Sequence, residues 1–154
     1  MSPKLKDEIK QSKPFPNLEA EVYVSLLRTA DALSRGAEKI LNLAGLSPPQ
    51  YNVLRILRGA GESGLCCREV AERMITRDPD ITRLVDRLER RGLLARSRDN
   101  KDRRIITVRV TPAGRKVLKD LDEPLTEHQR NLLSHMEEGD LRKLLELLEA
   151  ARET

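Results

Sequence analysis

Apolar residues recur at helical spacing along most of the chain and switch to a period of two in one region only. Val22, Leu26, Leu33, Ile40 and Leu43 fall on one side of a helix predicted from Leu18 to about Ala44, with Asn17 as its cap and Gly45 as its stop. A second helix begins in LSPPQYNVLRILRG. Ser47 is placed to cap it, prolines 48 and 49 fit the first turn, and Gln50 completes a capping box; Val53, Leu54 and Leu57 form its buried side, and GAGESG ends it. CCREVAERM reads as a short third helix with Val70, Ala71 and Met74 turned inward. A fourth helix is predicted from Asp78 to Arg91, capped by Asp78, with Pro79 at the first helical position and Asp80 complementing the dipole; Gly92 closes it. LLARS and IITVRVT alternate or are β-branched around charged turn residues, which predicts a hairpin. Thr111 and Pro112 then open a long helix that passes Pro124 and reaches about Met136. Gly139 is expected to break it before a last amphipathic helix, LRKLLELLEAAR.

Two short helices joined tightly and followed by a hairpin make a winged helix-turn-helix. The predicted fold is mainly α with a small β-hairpin wing: a winged helix-turn-helix DNA-binding domain over residues 47–111, flanked by a helical dimerisation region from residues 17–46 and 112–154. Residues 1–16, with prolines at 3, 14 and 16, read as a flexible arm. The outer helices carry more apolar stripe than one small domain needs, and a homodimer interface accounts for the surplus.

Charge sharpens this picture. Residues 65–115 hold fourteen Lys or Arg against eight Asp or Glu, whereas residues 116–154 hold six against ten. Thirteen of those fourteen cations are arginine, whose planar fork suits phosphate and guanine. A basic centre between near-neutral and acidic helices points to nucleic acid. The adjacent Cys66 and Cys67 cannot staple distant parts of a domain. No apolar run approaches the ~18 residues of a membrane span, and no secretory segment is visible, so a reducing, cytoplasmic setting is expected.

The fourth helix carries the chemistry. Ile81, Leu84, Val85 and Leu88 share one side; Pro79, Thr82, Arg83, Asp86, Arg87 and Arg90 share the other. Arg83 and Arg87 are placed to reach a guanine edge or a phosphate, and Thr82 a thymine methyl. The plainer alternative is a surface helix in which Asp86 and Arg90 pair at i,i+4. The stretch RSRDNKDRR, Arg96 to Arg104, carries five positive and two negative charges, and a wing of this kind is placed to reach a neighbouring minor groove, the plainer alternative being a solvated hairpin turn. Arg77, Pro79 and Asp80 before the helix, and Arg98, Lys101, Arg103 and Arg104 in the wing, complete the DNA-binding set. Asp80 would repel phosphate, and its role is then to accept from a cytosine or orient an arginine. Asp102 is placed to hold an arginine in one pose.

Other candidates are weaker. Cys66 stands at a helix cap beside Arg68, a setting that activates a thiol, so Cys66 and Cys67 form a candidate redox pair against the plainer reading of buried small hydrophobes. His128 and His135, seven apart on one predicted helix, lie ~10.5 Å apart and cannot chelate one ion together; no metal or cofactor is expected. A phosphate loop, HExxH and nucleophile elbow are all missing from the sequence, which argues against an enzyme. A winged-helix module that binds protein rather than DNA is the remaining alternative.

ITRLVDRLERRGLLAR and DRRIITVRVTPAG resemble the MarR family of bacterial transcriptional regulators over roughly residues 18–150. The second stretch fits the family's wing pattern at Asp102, Arg104, Val110, Thr111 and Gly114, and LSPPQYNVL resembles its second helix. The resemblance implies a homodimeric, ligand-responsive repressor bound to a pseudo-palindromic operator. It assigns the minor groove to Arg104 and the major groove to Thr82, Arg83 and Arg87, and it places Tyr51 where family effector pockets form, with core packing as the equal alternative for that ring. One departure stands out: Ile75 occupies the turn where the family commonly has glycine.

Overall fold

A computed structural model describes residues 4–77 and 80–153. The expected fold class holds: the described residues form seven α-helices, a 3-10 turn at Gly61–Ser63 and one two-stranded antiparallel hairpin, with the order α1 Leu5–Glu8, α2 Leu18–Leu43, α3 Pro48–Ala60, α4 Cys67–Arg73, α5 Ile81–Arg90, β1 Leu94–Arg98, β2 Ile106–Val110, α6 Pro112–Leu132 and α7 Glu138–Ala150. The chain divides into two compact units, residues 1–37 and 38–154. In the first, the Asn17 side chain accepts from the Ala20 N–H at 2.7 Å and so caps α2 as the sequence suggests. The α1 turn, inside the predicted arm, has no sequence signal beyond one apolar residue, Leu5. None of the described helices is long and apolar enough to cross a membrane.

The second unit is built on an aliphatic core. Val53, Leu54 and Leu57 of α3, Val70 of α4, Val85 and Leu88 of α5, Leu94 and Val108 of the hairpin and Leu118 of α6 are all fully buried. None of the chain's three aromatic residues belongs to it: Tyr23 is exposed, and Phe15 and Tyr51 are only partly covered. Ala71, expected inside, faces solvent on the short α4.

Local chemistry sets most of the boundaries. The Ser47 hydroxyl accepts from the Gln50 N–H while Gln50 Oε1 accepts from the Ser47 N–H at 3.0 Å, a complete capping box with two prolines behind it. The start of α5 differs from expectation. Asp80 is the cap, its Oδ1 accepting from the Arg83 N–H at 3.0 Å, and the helix begins at Ile81; the proposed cap Asp78 and Pro79 lie outside the described residues. At the other end of the chain, α6 stops at Leu132 rather than Met136, because the backbone tightens into turns that join Ser134 to Asn131 and Met136 to Leu133. His135 therefore lies beyond α6 and does not share a helix with His128. Gly139 does not break a helix; it sits in the first turn of α7, where a missing side chain costs little.

Two contacts hold the reading elements in register. Asn52, the buried polar side chain of α3, accepts from the Ile75 N–H at 2.8 Å and so fixes the turn between α4 and α5. At the exit of the hairpin, the Thr111 hydroxyl donates to the Gly92 carbonyl at 2.6 Å and accepts from the Gly114 N–H at 3.1 Å. The Thr111 N–H meanwhile donates to the Leu93 carbonyl. This draws the first turn of α6 against that carbonyl so closely that a Cβ on Gly114 would run into its oxygen.

Gly114→Ala is therefore expected to destabilise the protein by about 3 kcal/mol, the upper end of overpacking costs, read as a lowered urea midpoint; a loss under about 0.5 kcal/mol would contradict the tight junction. Asn52→Ala leaves the Ile75 N–H without its partner and is expected to cost about 1–3 kcal/mol. An unchanged thermal midpoint would show that the turn does not depend on it.

Candidate nucleic-acid interface

The site grows from the two-sided character of α5. Ile81, Leu84, Val85 and Leu88 are buried, which forces the intervening positions outward. Thr82, Arg83 and Arg87 are exposed, and the two guanidinium groups, one helical turn apart, have no side-chain partner among the described residues. Arg77, ahead of the helix, is exposed as well. Ile75, in the turn before it, is 79% exposed while its backbone is held by Asn52. Asp80 caps the helix, so its carboxylate already satisfies the backbone N–H of Arg83.

Asp86 behaves differently from the sequence reading. It does not pair with Arg90; its Oδ1 lies 2.6 Å from Nη2 of Arg96 on β1. Glu89 joins it, with Oε1 at 2.9 Å from the same nitrogen and Oε2 accepting from the Arg96 backbone N–H at 3.0 Å. The Arg96 hydrogen bonds hold the Glu89 carboxyl below its ordinary range, and the two carboxylates push the guanidinium up. Arg96, read in the sequence as part of a charged loop, is thus a strand residue turned inward.

The tip of the hairpin comprises residues 99–105, folded on itself through its own carboxylates. Asp99 accepts from the Lys101 N–H at 2.7 Å, and Asp102 Oδ1 accepts from the Arg104 N–H at 3.0 Å. The Arg104 guanidinium lies along Asp102, with Nε and Nη2 each 3.1 Å from its oxygens, and remains 92% exposed. Arg104 lowers the Asp102 carboxyl below the usual range, so the pairing persists through neutral pH and is lost only as pH falls through that lowered value. Arg98 Nη1 donates to the Arg103 carbonyl at 2.8 Å, while Lys101 and Arg103 project outward. Beside the hairpin a cleft of about 600 Å³ is lined by Ser63, Ser97, Arg98, Lys101, Thr107 and Arg109. Arg109 crosses it, donating to the Glu62 carbonyl at 2.6 Å and to Ser97 Oγ at 2.8 Å.

Of the DNA-binding set, then, Arg77, Thr82, Arg83, Arg87, Arg98, Lys101, Arg103 and Arg104 are exposed on the helix, the turn before it and the wing; Pro79 lies outside the described residues. Arg91, Arg96 and Arg109 were not singled out by sequence. Arg91 donates to the carbonyls of Gly45 and Ala44 at 2.6 and 3.1 Å, closing the end of α2. The alternation of β1, with Leu94 and Arg96 two apart, is the signal that marks Arg96 as inward-facing.

The other candidates lie elsewhere. Cys66 caps α4 and is half-buried, with Glu69 accepting from its N–H at 2.9 Å. Burial pushes the Cys67 thiol up, with Arg96 opposing it in part, which disfavours the thiolate. Tyr51 is half-buried on α3, its hydroxyl raised by burial, with the Arg55 guanidinium 5.9 Å from the ring centroid. Nearby, Arg58 grips Asp122 of α6 through two hydrogen bonds of 2.9 and 3.0 Å. The described residues contain no cluster of three His, Cys, Asp or Glu side chains placed to hold a metal ion.

The MarR family model matches residues 46–106, the helix-turn-helix and most of the wing. The crystal structure of a MarR transcription factor from Planctomyces limnophilus is similar at 40% identity and a TM-score of 0.68, covering 89% of this chain and 99% of that one. The PcaV transcriptional regulator of Streptomyces coelicolor, solved in complex with its natural ligand, is 28% identical with a TM-score of 0.67, covering 80% and 88% of the two chains. The transcriptional repressor MdtR of Bacillus subtilis is 31% identical over 102 residues, 66% of this chain and 64% of that protein. With its two-sided α5, paired wing and the near-complete overlap with the Planctomyces factor, this chain belongs to the MarR family of winged helix-turn-helix transcriptional regulators.

Proposed function

We propose that the chain acts as a homodimeric regulator that binds a pseudo-palindromic DNA operator as a repressor and releases it on binding a small ligand. The observation that carries this reading is the row of exposed cations at Arg83 and Arg87, without side-chain partners among the described residues, on a helix whose other side is buried, followed directly by a wing that presents Arg104. In the proposed complex, Arg83 and Arg87 read guanine edges or phosphates in the major groove, with Thr82 against a thymine methyl. Arg104 enters the flanking minor groove, while Arg77, Arg98, Lys101 and Arg103 contact the backbone.

A second copy of the chain supplies the other half-site. Support comes from apolar side chains left uncovered: Leu18, Val22, Leu26 and Leu33 recur at helical spacing on α2 and are 72%, 48%, 39% and 37% exposed. Leu145 and Leu147 of α7 are uncovered as well. In such a dimer the two recognition helices would sit about 34 Å apart, one turn of DNA. Repression and ligand release are supported by kinship with a repressor and with a regulator solved holding its ligand. Tyr51, with an apolar ring half covered and Arg55 above it, is the residue we assign to effector contact. Action on DNA by such a dimer belongs in the cytoplasm.

Fluorescence anisotropy on duplex DNA from the region upstream of the protein's own gene tests this reading, with a scrambled duplex as control. Wild-type protein is expected to prefer the native duplex and to lose affinity steeply with salt. Arg104→Ala should weaken binding roughly tenfold and flatten the salt slope by about one. Arg83→Ala should cost about 1–3 kcal/mol and relax sequence preference. Binding that ignores Arg104 would remove the wing from the interface. A salt-insensitive, weak association with every duplex would favour a protein-binding module instead.

A further inference from the structure

A two-stranded hairpin is marginal on its own, and the burial that holds this one fades along its length. Leu94, Val108 and Val110 lie in the core at the base, whereas Arg98 and Ile106, the last pair of the ladder, are exposed. Successive side chains alternate across a strand. Arg96, paired with the buried Val108, therefore lies on the same side as Leu94, at the outer edge of the apolar core. There it meets Asp86 and Glu89 of α5 through four polar contacts of 2.6–3.3 Å, one of them from its own backbone N–H. On the opposite side of the hairpin, Arg109 ties β2 to the Glu62 carbonyl and to Ser97. Leu65 and Val108 also exchange backbone hydrogen bonds of 3.0 and 2.7 Å, and outward of these anchors the hydrogen bonds of the tip among the described residues are its own.

We propose that Arg96 is a positioning residue that locks the wing to the recognition helix, so that the major-groove and minor-groove contacts are made as one rigid body. The proposal rests on the DNA-binding reading above and deepens it. Asp86 and Glu89 are then not liabilities on a DNA-facing helix. They are the fixed points to which the wing is referenced, and the single Arg96 charge offsets one of their two where a phosphate backbone would approach. Without the lock the hairpin pivots beyond the Val108–Leu65 bridge, and Arg104 reaches the minor groove in only a small fraction of encounters.

The distinguishing property is coupling between Arg96 and Arg104, residues that do not touch, measured in a double-mutant cycle. Arg96→Gln is one way to break the lock; Asp86→Asn with Glu89→Gln is another that keeps Arg96 and removes negative charge. In the unmodified background Arg104→Ala is expected to weaken operator binding about tenfold. In either unlocked background the same substitution should change affinity less than about twofold, because most of the Arg104 contact is already lost. If Arg104→Ala still costs about tenfold in the doubly neutralised variant, the wing keeps its pose without the lock and the proposal is overturned. Tighter binding by that variant, with full dependence on Arg104, would likewise show that the carboxylates merely repel DNA. A failure of the underlying reading is seen separately, as loss of operator preference or of the Arg104 effect in the unmodified protein. Should Arg96→Gln not fold, the carboxylate variant alone decides the matter.

Discussion

The candidate interface depends on the burial of one side of α5. A ten-residue helix is too short to persist in water on propensity alone. It exists because Ile81, Leu84, Val85 and Leu88 are driven into the core, each contributing about 1.5–3 kcal/mol when fully covered. Once those four positions are committed, helical geometry leaves Thr82, Arg83 and Arg87 no direction but outward. The same core receives Leu94 and Val108, so recognition helix and hairpin share one anchor. The display of charge is thus a by-product of aliphatic packing, and a cavity in that packing would reach the interface without touching any charged residue.

The arginines of the middle third divide into two populations. Arg91 satisfies carbonyls at the end of α2, Arg96 bridges two carboxylates, and Arg109 ties a strand to a turn. Each uses several of its donors on the protein itself, as a planar five-donor fork permits and a lysine does not. Arg83 and Arg87 have no partner for their forks among the described residues. Net charge alone cannot separate these roles, because both populations count equally toward the basic centre.

What was legible in the sequence was local. The Ser47–Gln50 box, the Thr111 cap and the apolar stripes of α3 and α5 follow from residue type and spacing over a few positions, and the structure has them where expected. Harder cases needed partners distant in sequence or a choice between equals. Asp78 and Asp80 are chemically interchangeable caps two residues apart, and the Arg83 N–H goes to Asp80. Gly139 looked like a breaker because its place in the helix was unknown; in a first turn it is harmless. Asp86 had a plausible partner at i,i+4, yet its bond goes to a strand ten residues on. The requirement for glycine at 114 belongs to the same class, since it comes from the Leu93 carbonyl on the other side of the hairpin.

The pairing of Arg104 with Asp102 separates two stages of an encounter with a polyanion. Long-range attraction is set by cations with no carboxylate partner among the described residues, Arg77, Arg83, Arg87, Arg90, Lys101 and Arg103 among them. Arg104, with a carboxylate laid along its guanidinium, adds little to that field. What it gains is a fixed pose, so it forfeits less rotamer freedom when a groove closes around it. Its influence accordingly falls on how long a complex lasts rather than on how quickly one forms.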